Sequence, residues 1–204
     1  SMHERAEQLS SEALEVSEHI YQVFLLSNLA VRLYSFYIKH GHARNTEEEN
    51  KVQIFFEENL PANANSFDGF YEKLYLYQSY CWYFFIRQDF LMYYRYAQKW
   101  VNLFTDEPVR MKVETGHYIK GVHNLLNAHF DLRNFKAFEK SLKAFEVFYH
   151  SPLCQQHDNF RIHSFIYITG AKLNWHLMVG TFKEGLQQAP IIEENIKKYE
   201  LHLD

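Results

Sequence analysis

The side chains that could hold a metal, relay a proton or attack a carbonyl are twelve histidines, two cysteines and twenty-five Asp or Glu residues. Their spacing decides whether they can act together. Glu114-x-x-His117 is one half of the motif with which helical bundles build di-iron carboxylate centres, but that chemistry needs a second Glu-x-x-His and two further inward glutamates, and neither occurs in the required pattern. His40-x-His42 falls in a turn, and no His-x-x-x-His pair exists to set two imidazoles on one helix face for zinc. Cys154 precedes His157 in a polar linker, a weak arrangement for an activated thiolate. The glycines at 41, 69, 116, 121, 170, 180 and 185 never form a phosphate-cradling loop, and no G-x-S-x-G elbow is present. His129 and His176 occupy the slot that Phe84 and Tyr37 fill in other parts of the chain, so they read as aromatic core substitutes with a local hydrogen bond. The expectation is a protein without catalytic residues, metal or cofactor.

The elements that position these groups are helical. Seven Gly and four Pro are too few for many short strands and turns. The 36 aromatic rings (15 Tyr, 18 Phe, 3 Trp) are an excess that a buried interior must absorb. The net charge of −4 is uneven: residues 1–66 carry five basic against ten acidic side chains, and residues 109–152 carry seven against four. A mildly acidic chain has no general attraction to a phosphate backbone, so nucleic acid is not an expected partner. Two cysteines, Cys81 and Cys154, exclude a disulfide framework and suit a reducing, cytoplasmic setting. The amino end, SMHERAEQLSSEALE, is polar and carries no signal-peptide pattern. The longest stretch without Asp, Glu, Lys or Arg, Leu74–Ile86, is too short to span a bilayer.

Three segments align without gaps: CWYFFIRQDF (81–90), LNAHFDLRNF (126–135) and LNWHLMVGTF (173–182), at offsets of 45 and 47 residues, with a weaker copy, YSFYIKHGHA (34–43), 47 residues upstream. Each ends a long helical pattern, makes a tight polar turn and opens a second helix. The second helices carry apolar stripes at steps of three and four: Phe90, Tyr93, Ala97, Trp100 and Phe104, then Phe135, Phe138, Leu142 and Phe145. The first helices do the same with Phe70, Leu74, Tyr77, Cys81 and Phe84, and with Tyr118, Val122, Leu125, His129 and Leu132. Thr46 with Glu49 forms a capping box, and Ser151-Pro152 suits an N-cap followed by proline at the first helical position. The pattern predicts one all-α domain over residues 1–204, made of four antiparallel helical hairpins at about 18–60, 66–105, 109–150 and 157–200. Such units bury their faces only by stacking on neighbours, as in an α-solenoid.

The segments LLNAHFDLRNF and KLNWHLMVGTF resemble the turn of tetratricopeptide (TPR) repeats, in which leucine, small and aromatic residues close one helix and a Gly-Asp-Tyr-like turn opens the next. Asn134-Phe135, Gly180-Thr181-Phe182 and Asp89-Phe90 stand in that turn. The likeness covers three of the four units. It departs from the family in its longer period, since TPR repeats run to about 34 residues, in Gly185, where an alanine or larger residue is expected, and in Pro190, which would kink or split the last helix. The resemblance implies a right-handed superhelix whose first helices line a concave, protein- or peptide-binding groove. Carried onto this chain, the groove positions are Arg32 in the first unit, Tyr75, Gln78 and Trp82 in the second, Lys120, His123, Asn124 and Asn127 in the third, and Tyr167 and Asn174 in the fourth. Asparagines there can donate to and accept from an extended peptide backbone, and Lys or Arg suits a carboxylate. Trp82 is either a large anchor or a ring buried between neighbouring units.

Arg133, Lys136, Lys140 and Lys143 form a basic stripe along the back of the helix after Asn134. It reads as a solvated face or as contact with an acidic partner such as the first hairpin of another copy. Two other function classes compete with the scaffold reading: a regulatory domain that senses a small molecule or signalling peptide in an aromatic-rich groove, and a helical metalloenzyme. The final IKKYELHLD is amphipathic with no later unit to cover it, which calls for further repeats or a homodimer.

Overall fold

The structure, a computed structural model, describes residues 2–200. It is 85% helix, and the described residues contain no strand. The chain divides into two compact units, Ser1–Tyr96 and Ala97–Asp204.

The first unit opens with α1 (Met2–His40), followed by α2 (Thr46–Asn59), a 3-10 turn at Ala64–Ser66, α3 (Phe70–Ile86) and the first part of α4 (Phe90–Asp106). Leu29 and Leu33 of α1, Val52 and Phe56 of α2, and Tyr83 and Ile86 of α3 close one core, with Phe56 stacked on Tyr83 at 4.1 Å. The two first helices, α1 and α3, lie side by side and run in the same direction. Their contacts climb both together, from His19 with Glu72, through the Ser79 hydroxyl donating to the Leu26 carbonyl, to Tyr34 with Trp82. The α1–α2 turn is tied to the end of α3 by three hydrogen bonds. His42 Nδ1 donates to the Phe85 carbonyl at 2.8 Å, the Ala43 amide to the Ile86 carbonyl at 2.8 Å, and Gln88 Nε2 to the Ala43 carbonyl at 2.9 Å.

The second unit contains the rest of α4, then α5 (Arg110–Val113), α6 (Thr115–Asp131), α7 (Phe135–Tyr149), α8 (Pro152–Gln155), α9 (Asp158–Val179), α10 (Phe182–Leu186) and α11 (Ala189–Glu200). Ile119, Val122 and Leu126 of α6 meet Phe138, Leu142, Phe145 and Phe148 of α7 and Ile168 and Ala171 of α9. A side chain of this size is worth about 1.5–3 kcal/mol when fully buried, so this shared face is what holds α7 and α9 to α6. Gly121 gives Trp100 room: a Cβ there would sit 3.1 Å from the indole ring.

Among the described residues four have a left-handed backbone, Gly41, Gln88, Arg133 and Gly180, with φ of 75°, 59°, 55° and 78°. Each is the eighth residue of one of the four aligned segments, so the chain turns in the same way at each. In three of the turns the hydrogen bond that closes the end of the first helix is the same. The amides of Asp89, Asn134 and Thr181 donate to the carbonyls of Phe84, His129 and His176.

Several expectations need correction. The first helix starts at Met2 rather than near residue 18. The cap of α2 is Asn45 rather than Thr46; its side chain accepts from the Glu48 amide at 3.0 Å, and the Glu48 carboxylate accepts from the Arg44 amide instead of closing a capping box. Phe135 and Leu132, the ends of their stripes, are exposed beside the turn. Pro190 is the second residue of α11, and the second helix of the last pair is split into α10 and α11, as the proline suggests. Gly185 is buried where α10 crosses α9, with His176 Cβ 3.1 Å from where its own Cβ would stand. Ser151 caps α8 with Pro152 at its first position, as its sequence suggests.

Candidate functional site

In the second unit, α6 and α9 present two parallel rows at helical spacing. Gly116, Lys120, His123 and Asn127 step by four, three and four along α6. His163, Tyr167, Gly170 and Asn174 step by four, three and four along α9. The helices run the same way, so the rows meet. Tyr167 stacks on His123 with ring centroids 3.9 Å apart and planes 12° from parallel. Toward the amino ends the rows part around a pocket of about 170 Å³, lined by Gly116, Ile119, Lys120, Asn159, Phe160, His163 and Tyr167. Gly116 leaves this wall bare; a Cβ there would stand in ordinary van der Waals contact, 3.8 Å from the Phe160 ring. The walls are carbon, and Lys120, Asn159 and His163 are exposed at the surface.

The electrostatics of this face follow from burial. His123 is pushed down to about 4 by desolvation, so near neutral pH it is an uncharged ring. Asn127 Nδ2 donates to its Nε2 at 3.2 Å, which places the ring proton on Nδ1. Burial likewise lowers His117, against a smaller opposing pull from Glu114, whose carboxylate is 3.8 Å away. Asn124 Nδ2 donates to the Lys120 carbonyl at 2.8 Å. The described residues place no carboxylate in an ion pair with the Lys120 ammonium. A pocket with an apolar floor and a cation at its edge can take an apolar side chain with an acidic group beside it.

The structure thus brings Lys120, His123, Asn127 and Tyr167 together, with Asn124 next to Lys120 and Asn174 two turns beyond Tyr167 on the same row. The residues chosen in the first unit behave differently. Arg32 is turned to α2, donating from Nη1 to Asn59 Oδ1 at 2.8 Å with its guanidinium carbon 4.5 Å above the Phe55 ring. Gln78 is buried. Tyr75 packs beside Leu26, Ala64 and Leu76. Trp82 is half-buried among Tyr34, Tyr37 and Phe85, at 5.0, 5.5 and 6.1 Å. Trp82 belongs to the α1–α3 seam.

The remaining chemical candidates are also placed. Cys154 is buried in α8 rather than in a loop; its Sγ donates to Ser164 Oγ at 3.4 Å and burial raises its thiol. His129 is buried in α6, and His176 Nδ1 lies 2.8 Å from Thr181 Oγ1. Among the described residues no group of three or more His, Cys, Asp or Glu could hold a metal ion, and no helix is long and apolar enough to cross a membrane. The basic stripe is exposed; Lys143 pairs with Glu139 at 3.0 Å and Arg133 lies over Phe130. Sequence reasoning missed Gly116, Asn159, Phe160 and His163. Gly116 and His163 were detectable as the residues four before Lys120 and four before Tyr167 on the same faces.

Comparison of the chain with family models, with curated proteins and with solved structures finds no match.

Proposed function

We propose that the chain is a protein- or peptide-binding scaffold, an array of TPR-like helical pairs whose second unit seats a peptide side chain between α6 and α9. The observation that carries this reading is the pocket between Phe160 and Tyr167. Its volume of about 170 Å³ lies below the roughly 300–1,000 Å³ of clefts that enclose whole small molecules. That size suits one bulky side chain of a longer ligand and disfavours the alternative of a small-molecule sensor. The rows that continue past it, His123 with Tyr167 and then Asn127 with Asn174, offer amide groups along the path an extended backbone would take. A binding role is also favoured over a catalytic one because the lining contains no carboxylate, thiol or aliphatic hydroxyl to work with its histidine. The repeat reading is supported by the four left-handed turns in one register and by first helices that lie parallel within each unit.

The test is selection of peptides from a displayed random library on the purified protein, followed by NMR titration with the best binder. Shifts centred on Gly116, Lys120, Asn159, His163 and Tyr167 are expected. Binders that leave these resonances unmoved, or a library that yields none, would remove the reading.

A further inference from the structure

From His3 to Tyr21 every residue of α1 is exposed, although most helical stability in proteins comes from packing an amphipathic face rather than from propensity. The helix is 39 residues long, about 58 Å at 1.5 Å per residue. Leu9, Ala13, Val16, Ile20, Phe24, Ser27, Val31, Tyr34 and Ile38 follow steps of three and four along one flank of α1, with Tyr34 at its edge against Trp82 of α3. The large members of this row are 46% to 64% exposed. They present on the order of 800 Å² of surface, about the area that each partner contributes to a standard specific interface.

The row is complementary to itself. If a second copy of α1 is laid antiparallel about the Val23–Phe24 peptide bond, Phe24 lies at the two-fold axis and each other member of the row meets the one equidistant from it. Leu9 then meets Ile38, Val16 meets Val31, and the small Ala13 and Ser27 face the large Tyr34 and Ile20. A two-fold axis demands this kind of match, because one patch must fit its own copy. Charge chooses the direction. Glu4, Glu7, Glu12, Glu15 and Glu18, against the one base Arg5, crowd the amino-terminal half, whereas the segment from His19 to His40 holds Arg32 and Lys39 and no acidic residue. A parallel pair would align glutamates with glutamates. An antiparallel pair sets the Lys39 end of each helix beside the acidic half of the other and opposes the two helix dipoles favourably.

We infer that α1 pairs with α1 of a second copy in an antiparallel two-helix seam centred on Val23 and Phe24. This surface lies wholly in the first unit and is independent of the pocket between α6 and α9. Sedimentation equilibrium of the whole chain tests it. The wild type is expected to be a dimer at micromolar concentration, and Ile20→Asp with Phe24→Asp should weaken dimerisation at least about 100-fold, the loss expected when anchors at the centre of an interface are removed. Since both side chains point away from α3, circular dichroism should show the variant still folded. Direction is read by mild oxidation of single-cysteine variants, the native Cys81 and Cys154 being buried. A mixture of Leu9→Cys and Ile38→Cys copies should cross-link to each other, and Leu9→Cys alone should not. A monomeric wild type at 100-fold higher concentration, a dimer indifferent to the paired aspartates, or Leu9→Cys copies that cross-link among themselves would overturn the inference.

Discussion

The imidazole of His123 lies flat on the phenol ring of Tyr167, 3.9 Å between centroids, and this contact joins α6 to α9 at the edge of the candidate pocket. The stack has a consequence for acid stability. Burial holds His123 at about 4, against 6.5 for a free histidine, and lowers His117 and His129 as well. Between those two values the unfolded chain binds more protons than the folded one, so stability is complete above about pH 6.5 and falls as pH drops toward 4. His123→Phe keeps a ring on Tyr167 and removes one titrating group. Urea midpoints measured across this window should depend less on pH in the variant; an unchanged slope would show that His123 is not the buried neutral group described.

Trp100 and Gly121 form a second tight pair. Trp100 is 2% exposed, and Trp100→Ala should cost about 3–5 kcal/mol in denaturant unfolding. Loss within about 0.5 kcal/mol, the range of a surface site, would place the indole elsewhere.

Gly121→Ala tests the same contact from the other side. The added methyl group would meet three indole atoms at 3.1 to 3.3 Å. Overpacking costs about 1–3 kcal/mol, and the better helix propensity of alanine returns about 1 kcal/mol. A net destabilisation is expected. A more stable variant would mean that the indole can move aside.

The four left-handed turns predict opposite outcomes for opposite substitutions. Arg133, with φ of 55°, bears a side chain where one is disfavoured by about 1–2 kcal/mol, so Arg133→Gly should stabilise the chain by roughly 0.5–1 kcal/mol after the entropy of glycine is counted. Gly180→Ala, at φ of 78° and with nothing near its would-be Cβ, should destabilise by about 1 kcal/mol from strain alone. Thermal unfolding of the two variants in parallel distinguishes turn strain from a general effect of sequence change.

For a peptide selected on the protein, Lys120→Ala combined with Phe160→Ala should weaken binding at least tenfold, about 1.4 kcal/mol. Lys143→Ala, on the exposed basic stripe, serves as the control and should leave affinity unchanged. Equal losses from both would move the interface to the stripe.

Helical spacing made much of the interior legible. The steps that link Tyr93, Ala97, Trp100 and Phe104, and those that link Phe138, Leu142 and Phe145, place these side chains on one face, and they are buried. The same reasoning failed at Leu132, just past the end of α6, and at Phe135, the first residue of α7, because both stand beside the turn where no neighbour covers their face. It also failed at Asn45, where Asn45 and Thr46 could each cap and only backbone geometry chooses. Lys120, His123 and Asn127 were legible as one face of α6, since residues three and four apart must align, whereas Tyr167 of α9 was joined to them only by what the resemblance implied.

The sequence by itself determined the helical period, the positions of the turns and which residues share a side of each helix. Those depend on contacts within a few residues, and the steps of three and four record them directly. Only the tertiary structure decided which apolar face is covered. Trp82 and Gln78 sit on a helix side that looks as open in sequence as that of Lys120 and Asn127, yet α1 lies against Trp82 and Gln78 is buried, while α9 stands off from α6 far enough to leave a pocket at Phe160. The cause is the packing of helices distant in sequence. Small residues such as Gly116, Gly121 and Gly185 set how near two backbones come, and periodicity along one helix carries no record of that distance.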